Sequence, residues 1–289
     1  MFGFLNIDKA LGVTSHDVVA RIRRELKLRK AGHAGTLDPL ATGVLVICLG
    51  PATRLSEYVM HSTKRYVAQV HFGRVTTTDD SEGEVIAEHA TDKLTRADVE
   101  AALAAFTGDI LQKPPVFSAI KQGGRKLYEM ARAGIAVDVP ARQVRIDSIL
   151  FQDWQPPVAV LDVTCSSGTY IRSLARDLGE ALDVGAYLAG LRRVMSGSFH
   201  IDDAATLDAI LADSEWTRHL VSPQHALANW RRIDLDASLA TTIAHGGAIP
   251  AEIGADNELA LTFAPSDELL AVVRREQALW VPQKVFWRD

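Results

Sequence analysis

Cysteine is scarce: two residues in a chain of 289, too few for a disulfide framework. Both Cys48 and Cys165 lie in apolar, strand-like runs, where buried thiols are expected rather than a bridge. Neither has Cys or His neighbours at metal-ligand spacing, so no metal site is expected. No apolar run reaches membrane-spanning length, and the N-terminus lacks a basic region followed by an apolar one. The expectation is a soluble, cytoplasmic chain without a membrane partner. A Rossmann-type glycine pattern is missing too, and no cofactor is expected. Internal repeats and low-complexity tracts are absent. Nor is there an excess of positive charge: the formal net charge is −5, a mild argument against nucleic acid as a partner.

The distribution of charge argues the other way. Arg21, Arg23, Arg24, Lys27, Arg29 and Lys30 form one basic cluster, Lys64 and Arg65 a second, and Lys121, Arg125, Lys126 and Arg132 a third. Acids gather after Thr76 and toward the C-terminus. A basic face on an acidic protein can still follow a phosphate backbone; the plainer alternative for any one cluster is a solvated helix face. The apolar share of 47% is ordinary for a globular protein, and the length accommodates one large domain and a small one.

The chain is organised around Gly32-His33-Ala34-Gly35-Thr36-Leu37-Asp38-Pro39-Leu40-Ala41-Thr42-Gly43. Its glycines and proline mark a loop, and the apolar run Val44 to Leu49 behind it reads as a buried strand. Pro39 biases Asp38 away from helical backbone, and the glycines permit positive φ or close approach to a ligand. An acid thus stands on a stiff turn at the mouth of a strand. Upstream, Phe4 to Asp8 reads as a strand, and Thr14 or Ser15 caps a helix carrying Val18, Ile22 and Leu26. Downstream, Ala52 to His61 suits a helix. In Lys64 to Gly73, residues Tyr66, Ala68, Val70 and Phe72 alternate onto one strand face. Thr95 and Asp98 form a capping pair. Lys113-Pro114-Pro115, Gly123 and Gly124 flank a projecting basic hairpin, with a helix expected over Arg125 to Ala133. Two strands, Gln143 to Trp154 and Val158 to Ser166, precede Gly168-Thr169-Tyr170-Ile171-Arg172 and a helix running to Leu182. Thr206 to Leu227 looks helical. From about Arg231 the texture turns to short β-rich runs.

The first of these stretches resembles the signature of the TruB-type family, the tRNA pseudouridine-55 synthases. Further text matches that family in order. Lys64-Arg65-Tyr66 is similar to its Lys-Arg-Tyr element, and Thr76 to Gly83 to its Thr-x-Thr-x-Asp-x-x-Gly segment, with Asp80 at the acidic position. Pro114 to Lys121 and Leu127-Tyr128-Glu129 resemble its RNA-clamping insertion, Gly168 to Arg172 its Gly-Thr-Tyr-Ile-Arg, and Leu191-Arg192-Arg193 its Leu-Arg-Arg strand. Ala10 stands where the family has the proline of a Lys-Pro-x-Gly turn, which puts the rigidity of that turn in question. The resemblance covers roughly residues 4 to 230.

The resemblance implies an α+β fold with a mixed sheet: a catalytic domain over 1–230, with the insertion at about 113–142, and a small C-terminal PUA-like β-barrel module over 231–289. The module is expected to be auxiliary, so that a chain cut near Trp230 still folds. The implied activity is isomerisation of a uridine in the T-arm loop of tRNA, by a monomer. Asp38 takes the role of nucleophile and Arg172 pairs with it. Tyr66 packs on the target base, Tyr170 and Leu191 line the pocket, and His33 fills the space the flipped base vacates. Lys64, Lys121, Arg125 and Lys126 are the expected RNA contacts.

Converting uridine to pseudouridine breaks the N1–C1′ bond and remakes it at C5, so the base must leave the stack, turn over and stay bound. An ionised carboxylate, an aromatic floor and a water-excluding pocket meet those needs, and a nearby arginine keeps a carboxylate ionised. Attack of Asp38 at C1′, attack at C6, and a glycal route with loss of the 2′ proton are all compatible with these residues. Two other readings fit parts of the sequence. A catalytically silent RNA-binding protein would not need both Asp38 and Arg172. A pyrimidine-modifying enzyme with Cys165 as nucleophile would need a base beside the thiol, and none is adjacent. Three acids near Asp80 lack the spacing of a calcium loop.

Overall fold

The computed structural model describes residues 1–117, 121–122, 125–126, 130 and 139–286. Its centre is a mixed sheet whose strands run in the order Ala205–Thr206, Gly3–Lys9, Ala41–Leu49, Ala186–Ser196, Lys64–Phe72, Val158–Cys165, Arg142–Gln155 and Gly108–Gln112. Ala31–His33 and Phe199–His200 add short pairings beside the ends of two interior strands, Ala41–Leu49 and Ala186–Ser196. Gly3–Lys9 with Ala205–Thr206, and Ala41–Leu49 with Ala186–Ser196, pair parallel; the remaining pairs are antiparallel.

The continuous apolar run behind the aspartate loop is explained by burial on both sides. Leu45, Ile47 and Leu49 enter a core shared with Val18, Val19 and Ile22 of the helix Ser15–Glu25 and with Leu174 and Leu178 of the helix Ile171–Ala181. Val44, Val46 and Cys48 enter a second core on the opposite face. Lys64–Phe72 alternates as its sequence requires, with Tyr66, Ala68, Val70 and Phe72 turned to the first core. Thr14 caps the first helix in a full capping box with Asp17, and Ser15 turns inward instead. Thr95 and Asp98 form the second capping box.

Several expected elements differ. Thr206 to Leu227 is not one helix but three short pieces, Leu207–Ala212, Trp216–His219 and Pro223–Ala226. Thr206 and Ser222 each cap a new start, and Pro223 can only open a helix. The stretch Ala52 to His61 divides into a 3₁₀ turn, Gly50–Arg54, and a short helix, Ser56–Met60. In the insertion, Arg125–Lys126 pairs antiparallel with Lys121–Gln122, so the backbone there is a hairpin strand where a helix was expected. The rest of that basic hairpin lies outside the described residues. The C-terminal module is an open five-stranded sheet, ordered Arg231–Asp234, Leu259–Phe263, Leu269–Glu276, Leu279–Val285 and Ile249–Pro250, a half-barrel rather than a closed one. Among the described residues no helix is long and apolar enough to cross a membrane.

The second core revises the expectation for a shortened chain. Phe4, Val46, Cys48 and Phe199 from the large sheet pack in one cluster with Leu261, Phe263, Val272 and Phe286 from the C-terminal sheet. Each fully buried side chain of this size contributes about 1.5–3 kcal/mol. A cut after Trp230 strips one wall from that core. The shortened chain is expected to melt roughly 10 °C or more below the full chain and to self-associate. Thermal melting and size-exclusion chromatography of the two chains test this; equal midpoints would mean the catalytic half stands alone.

Candidate active site

Asp38 sits in the loop between Ala31–His33 and Ala41–Leu49. That loop is tied down residue by residue. Ser15, fully turned inward, donates from Oγ to Leu37 O at 3.0 Å and accepts from Leu37 N at 2.8 Å. Arg193 donates to Gly35 O and Thr36 O at 3.0 and 3.4 Å. Ala41 N donates to Asp38 O, and Gly12 N to Pro39 O. The turn with Ala10 in place of proline is closed by Lys9, whose Nζ donates to Ala10 O and Val13 O. Gly43 has φ +94°, and a Cβ there would stand 2.2 Å from Arg193 O, so only glycine lets the loop's strand lie flush on its parallel neighbour.

The Asp38 side chain is 41% exposed, and its Oδ2 meets Nη2 of Arg172, 7% exposed, at 3.0 Å. Arg172 lies in the first turn of the helix Ile171–Ala181 and is gripped from three other sides. Nη1 pairs with Asp80 Oδ2 at 3.2 Å and reaches Thr78 O, while Nη2 donates to Phe117 O at 3.0 Å. Asp80 is itself buried, accepting from Thr78 Oγ1 and Glu82 N. One guanidinium thus links an open carboxylate to a buried one. The buried pair holds the arginine still, and the arginine presents the open carboxylate to whatever enters. Alongside, Arg176 pairs with Asp79 at 2.9 Å. Arg176 and Ser173 both donate to Lys113 O, so this helix also anchors the base of the insertion.

Tyr66 lies under this site with its ring buried. Burial pushes its phenol above the ordinary value, while Arg193 pulls the other way and the Asp38 charge adds to the rise. At neutral pH it is a protonated phenol within reach of the Asp38 field. Tyr170 is half-buried at the helix start, its backbone N and O clamped by the buried Gln112 amide at 2.8 and 3.0 Å. Leu191 is half-buried against the first core, opposite Ala41 and Ala68. His33 lies on the short strand leading into the loop; burial lowers its pKa, aided by the Arg193 charge, so the ring is neutral. Its Nδ1 is buried without a hydrogen-bond partner.

Of the expected RNA contacts, Lys64 is corrected. It is 4% exposed, and its Nζ donates to Val59 O, Met60 O, Ser62 O and Ser62 Oγ, satisfying the end of a short helix instead of facing solvent. Its neighbour Arg65 is held bidentate by the buried Asp162 yet stays 48% exposed, so of the second basic cluster only Arg65 faces solvent. In the first cluster Arg21 pairs with Asp208 and Arg24 with Glu25, both pairs at the surface, and Arg23, Lys27, Arg29 and Lys30 are exposed as well. The side chains of Lys121, Arg125 and Lys126 lie outside the described residues. Both thiols are buried and pushed up to about 12, which leaves Cys165 unreactive. No cluster of metal-ligating side chains occurs among the described residues.

Four residues of the site escaped the sequence reading. Lys9, Arg193 and Ser15 carried no chemical signal in a strand, a strand and a cap position. Asp80 was noted only as an acidic position. A fifth, Glu82, has its carboxyl pushed up by burial and then by Asp80 and Asp38, so a second, open carboxylate stands near the nucleophile position.

The buried lysines set a pH dependence. Burial lowers Lys64 to about 7 and Lys9 to about 8, from 10.5. Between those values and 10.5 the unfolded chain holds more protons than the folded one, so stability rises with pH. The thiols act oppositely: raised from 9.0 to about 12, they resist ionisation that the unfolded chain permits above 9. Stability is expected to climb from pH 7 to 9 by about 1–3 kcal/mol and to fall again at strongly alkaline pH. Denaturant unfolding at pH 7, 8 and 9 checks this; a flat or falling series would contradict it.

A mixed sheet carries an aspartate on a tied loop, an arginine holding that aspartate and a buried tyrosine, and the family models and relatives give the class to which this arrangement belongs: the pseudouridine synthases, which are isomerases. A family model described as "TruB family pseudouridylate synthase (N terminal domain)" matches residues 23–171, and "tRNA pseudouridylate synthase B C-terminal domain" matches residues 172–229. The chain belongs to the TruB family. It is 48% identical over 247 residues to a protein of Symbiobacterium thermophilum named tRNA pseudouridine synthase B, covering 84% of this chain and 82% of that one. A protein of the same name from Cupriavidus metallidurans is 41% identical over 300 residues, covering 98% and 93%. Among solved structures, a Cbf5-Nop10-Gar1 complex aligns with TM-score 0.78 at 28% identity, over 99% of this chain and 85% of that one. An H/ACA RNP bound to a substrate RNA containing 2′-deoxyuridine aligns with TM-score 0.76 at 26% identity, over 99% and 86%.

Proposed function

We propose that the chain is a tRNA pseudouridine-55 synthase, isomerising a uridine in the T-arm loop of tRNA. The observation that carries this reading is the Asp38–Arg172–Asp80 chain: an open carboxylate aimed by an arginine that a buried carboxylate immobilises. The names of the relatives, each tRNA pseudouridine synthase B, support tRNA as the substrate. A carboxylate, an arginine and a tyrosine supplied by one chain support action as a monomer, and the cytoplasm is where that monomer meets tRNA.

Asp38 acts as the nucleophile or base-assisting carboxylate at the flipped nucleotide, and Arg172 keeps it ionised. Tyr66 forms the floor, Tyr170 and Leu191 the walls, and neutral His33 occupies the space the base leaves. Over the whole reaction C5 loses one proton and N1 gains one, so the site needs a proton carrier as well as a nucleophile; Tyr66 is assigned that role. Incubating the protein with an unmodified tRNA transcript and mapping pseudouridine by position tests the reading. Modification at position 55 alone is the expected result; pseudouridine elsewhere, or none, removes it.

Affinity for tRNA is assigned mainly to phosphate contacts by the exposed basic residues of the first cluster and by Lys121, Arg125 and Lys126. Neutralising those last three together is expected to reduce the slope of log affinity against log salt by about two to three. Filter binding across a salt series reads the slope, and an unchanged value would move the RNA away from the insertion.

A further inference from the structure

Arg193 is the buried charge that the chemistry above does not use. It is 1% exposed, and among the described residues it has no carboxylate partner. An unpaired buried cation is costly, and its neighbours make it more so: Lys9 and Lys64, both buried, feel its charge. A lone structural role would be met more cheaply by a neutral donor.

Its hydrogen bonds point to what it does. Nε donates to Val44 O at 2.7 Å, Nη1 to Thr36 O and Nη2 to Gly35 O. A guanidinium has five N–H groups and no acceptor, so two remain. Arg193 stands directly opposite Tyr66 across the antiparallel pair formed by Ala186–Ser196 and Lys64–Phe72, where opposed side chains share a face. Its charge reaches the Tyr66 phenol, opposing the upward push of burial on that hydroxyl. The same guanidinium therefore grips the backbone two and three residues before Asp38 and shares a sheet face with Tyr66, with two N–H groups to spare.

We propose that Arg193 is the positioning residue for the Tyr66 hydroxyl. By donating into the phenol oxygen from behind, it turns the O–H toward the bound nucleotide and fixes that oxygen relative to the aspartate loop. The inference rests on the reading of Tyr66 as the proton carrier. An arginine can only donate, so the phenol's own hydrogen must point elsewhere. The positive charge also favours the moment when the phenol's proton has left, which a neutral donor would not.

The test replaces tyrosine with 3,5-difluorotyrosine throughout the full-length chain and follows ¹⁹F resonances with pH. Tyr66 is identified as the signal missing from Tyr66→Phe. In Arg193→Gln the Tyr66 titration is expected to move upward by more than one pH unit, at least a tenfold loss of phenolate at a given pH. Arg193→Lys, which keeps a charge, is expected to move it less, and the remaining tyrosines not at all. An unmoved Tyr66 titration in folded Arg193→Gln overturns the proposal. If neither Arg193 variant folds, Tyr66→Phe decides: losing the oxygen is expected to shift the ¹⁵N guanidinium resonances of Arg193, and unshifted resonances overturn it. A Tyr66→Phe enzyme at full rate would remove the proton-carrier reading while leaving both spectral shifts in place, so the two failures are distinguishable.

Discussion

Asp38→Asn is expected to abolish turnover while leaving the protein folded and its RNA affinity nearly intact. The substitution keeps shape and removes charge, and with it both the nucleophile and the charged partner of Arg172. Loss of a nucleophile from an otherwise complete site costs on the order of 10⁴ or more in rate. The fold should tolerate the change. The Asp38 side chain is 41% exposed, and Arg172 keeps Asp80, Thr78 O and Phe117 O as partners, so no buried charge is left unpaired. The loop is held by Ser15 and Arg193 through backbone groups, not through the carboxylate. Single-turnover rates, melting temperature and tRNA binding measured on one preparation check all three parts. Substantial pseudouridine formation by purified Asp38→Asn would remove Asp38 from the chemistry.

How much of this was legible in the sequence follows from what each residue's signal depends on. Asp38 was legible because Pro39, three glycines and an apolar run make a loop-then-strand that any reader of local chemistry can find. Arg172 was tied to Asp38 only through resemblance, since nothing local in Tyr170-Ile171-Arg172 says which carboxylate, 134 residues earlier by subtraction of 38 from 172, it meets. Lys64 misled because a lysine between Thr63 and Arg65 looks solvated; only the fold reveals the helix end that consumes its hydrogen bonds. Arg193 was hidden for the same reason in reverse. Its partners are backbone carbonyls of residues 35, 36 and 44, which have no identity in a sequence. The shared core between the two sheets was equally invisible: Val44, Val46 and Cys48 read as one apolar run, and alternation alone does not say what covers each face.

Tyr66→Phe is expected to bind tRNA normally and turn over very slowly, by about 10²–10⁴. The ring and the hydroxyl serve different ends, and the substitution separates them. Stacking needs the ring alone and is worth roughly 1–3 kcal/mol by alanine substitution, so Tyr66→Leu should weaken binding where Tyr66→Phe does not. Proton transfer needs the oxygen. Burial holds that phenol protonated at neutral pH, so the role proposed for it is that of a relay, taking a proton on one side as it releases its own on the other, and not that of a standing phenolate. The fold adds a competitor that the sequence did not offer: Glu82, whose raised carboxyl pKa brings its basicity closer to neutral. Two features favour Tyr66. Tyr66 is buried, whereas Glu82 stands exposed to solvent. It is also fixed by the residue that fixes the aspartate loop, while Glu82 is tied to the site through its backbone N–H on Asp80. Glu82→Gln is therefore expected to stay within about threefold of wild type. Single-turnover rates of the two variants on one tRNA transcript decide between the carriers: a fast Tyr66→Phe with a slow Glu82→Gln would transfer the role to the glutamate.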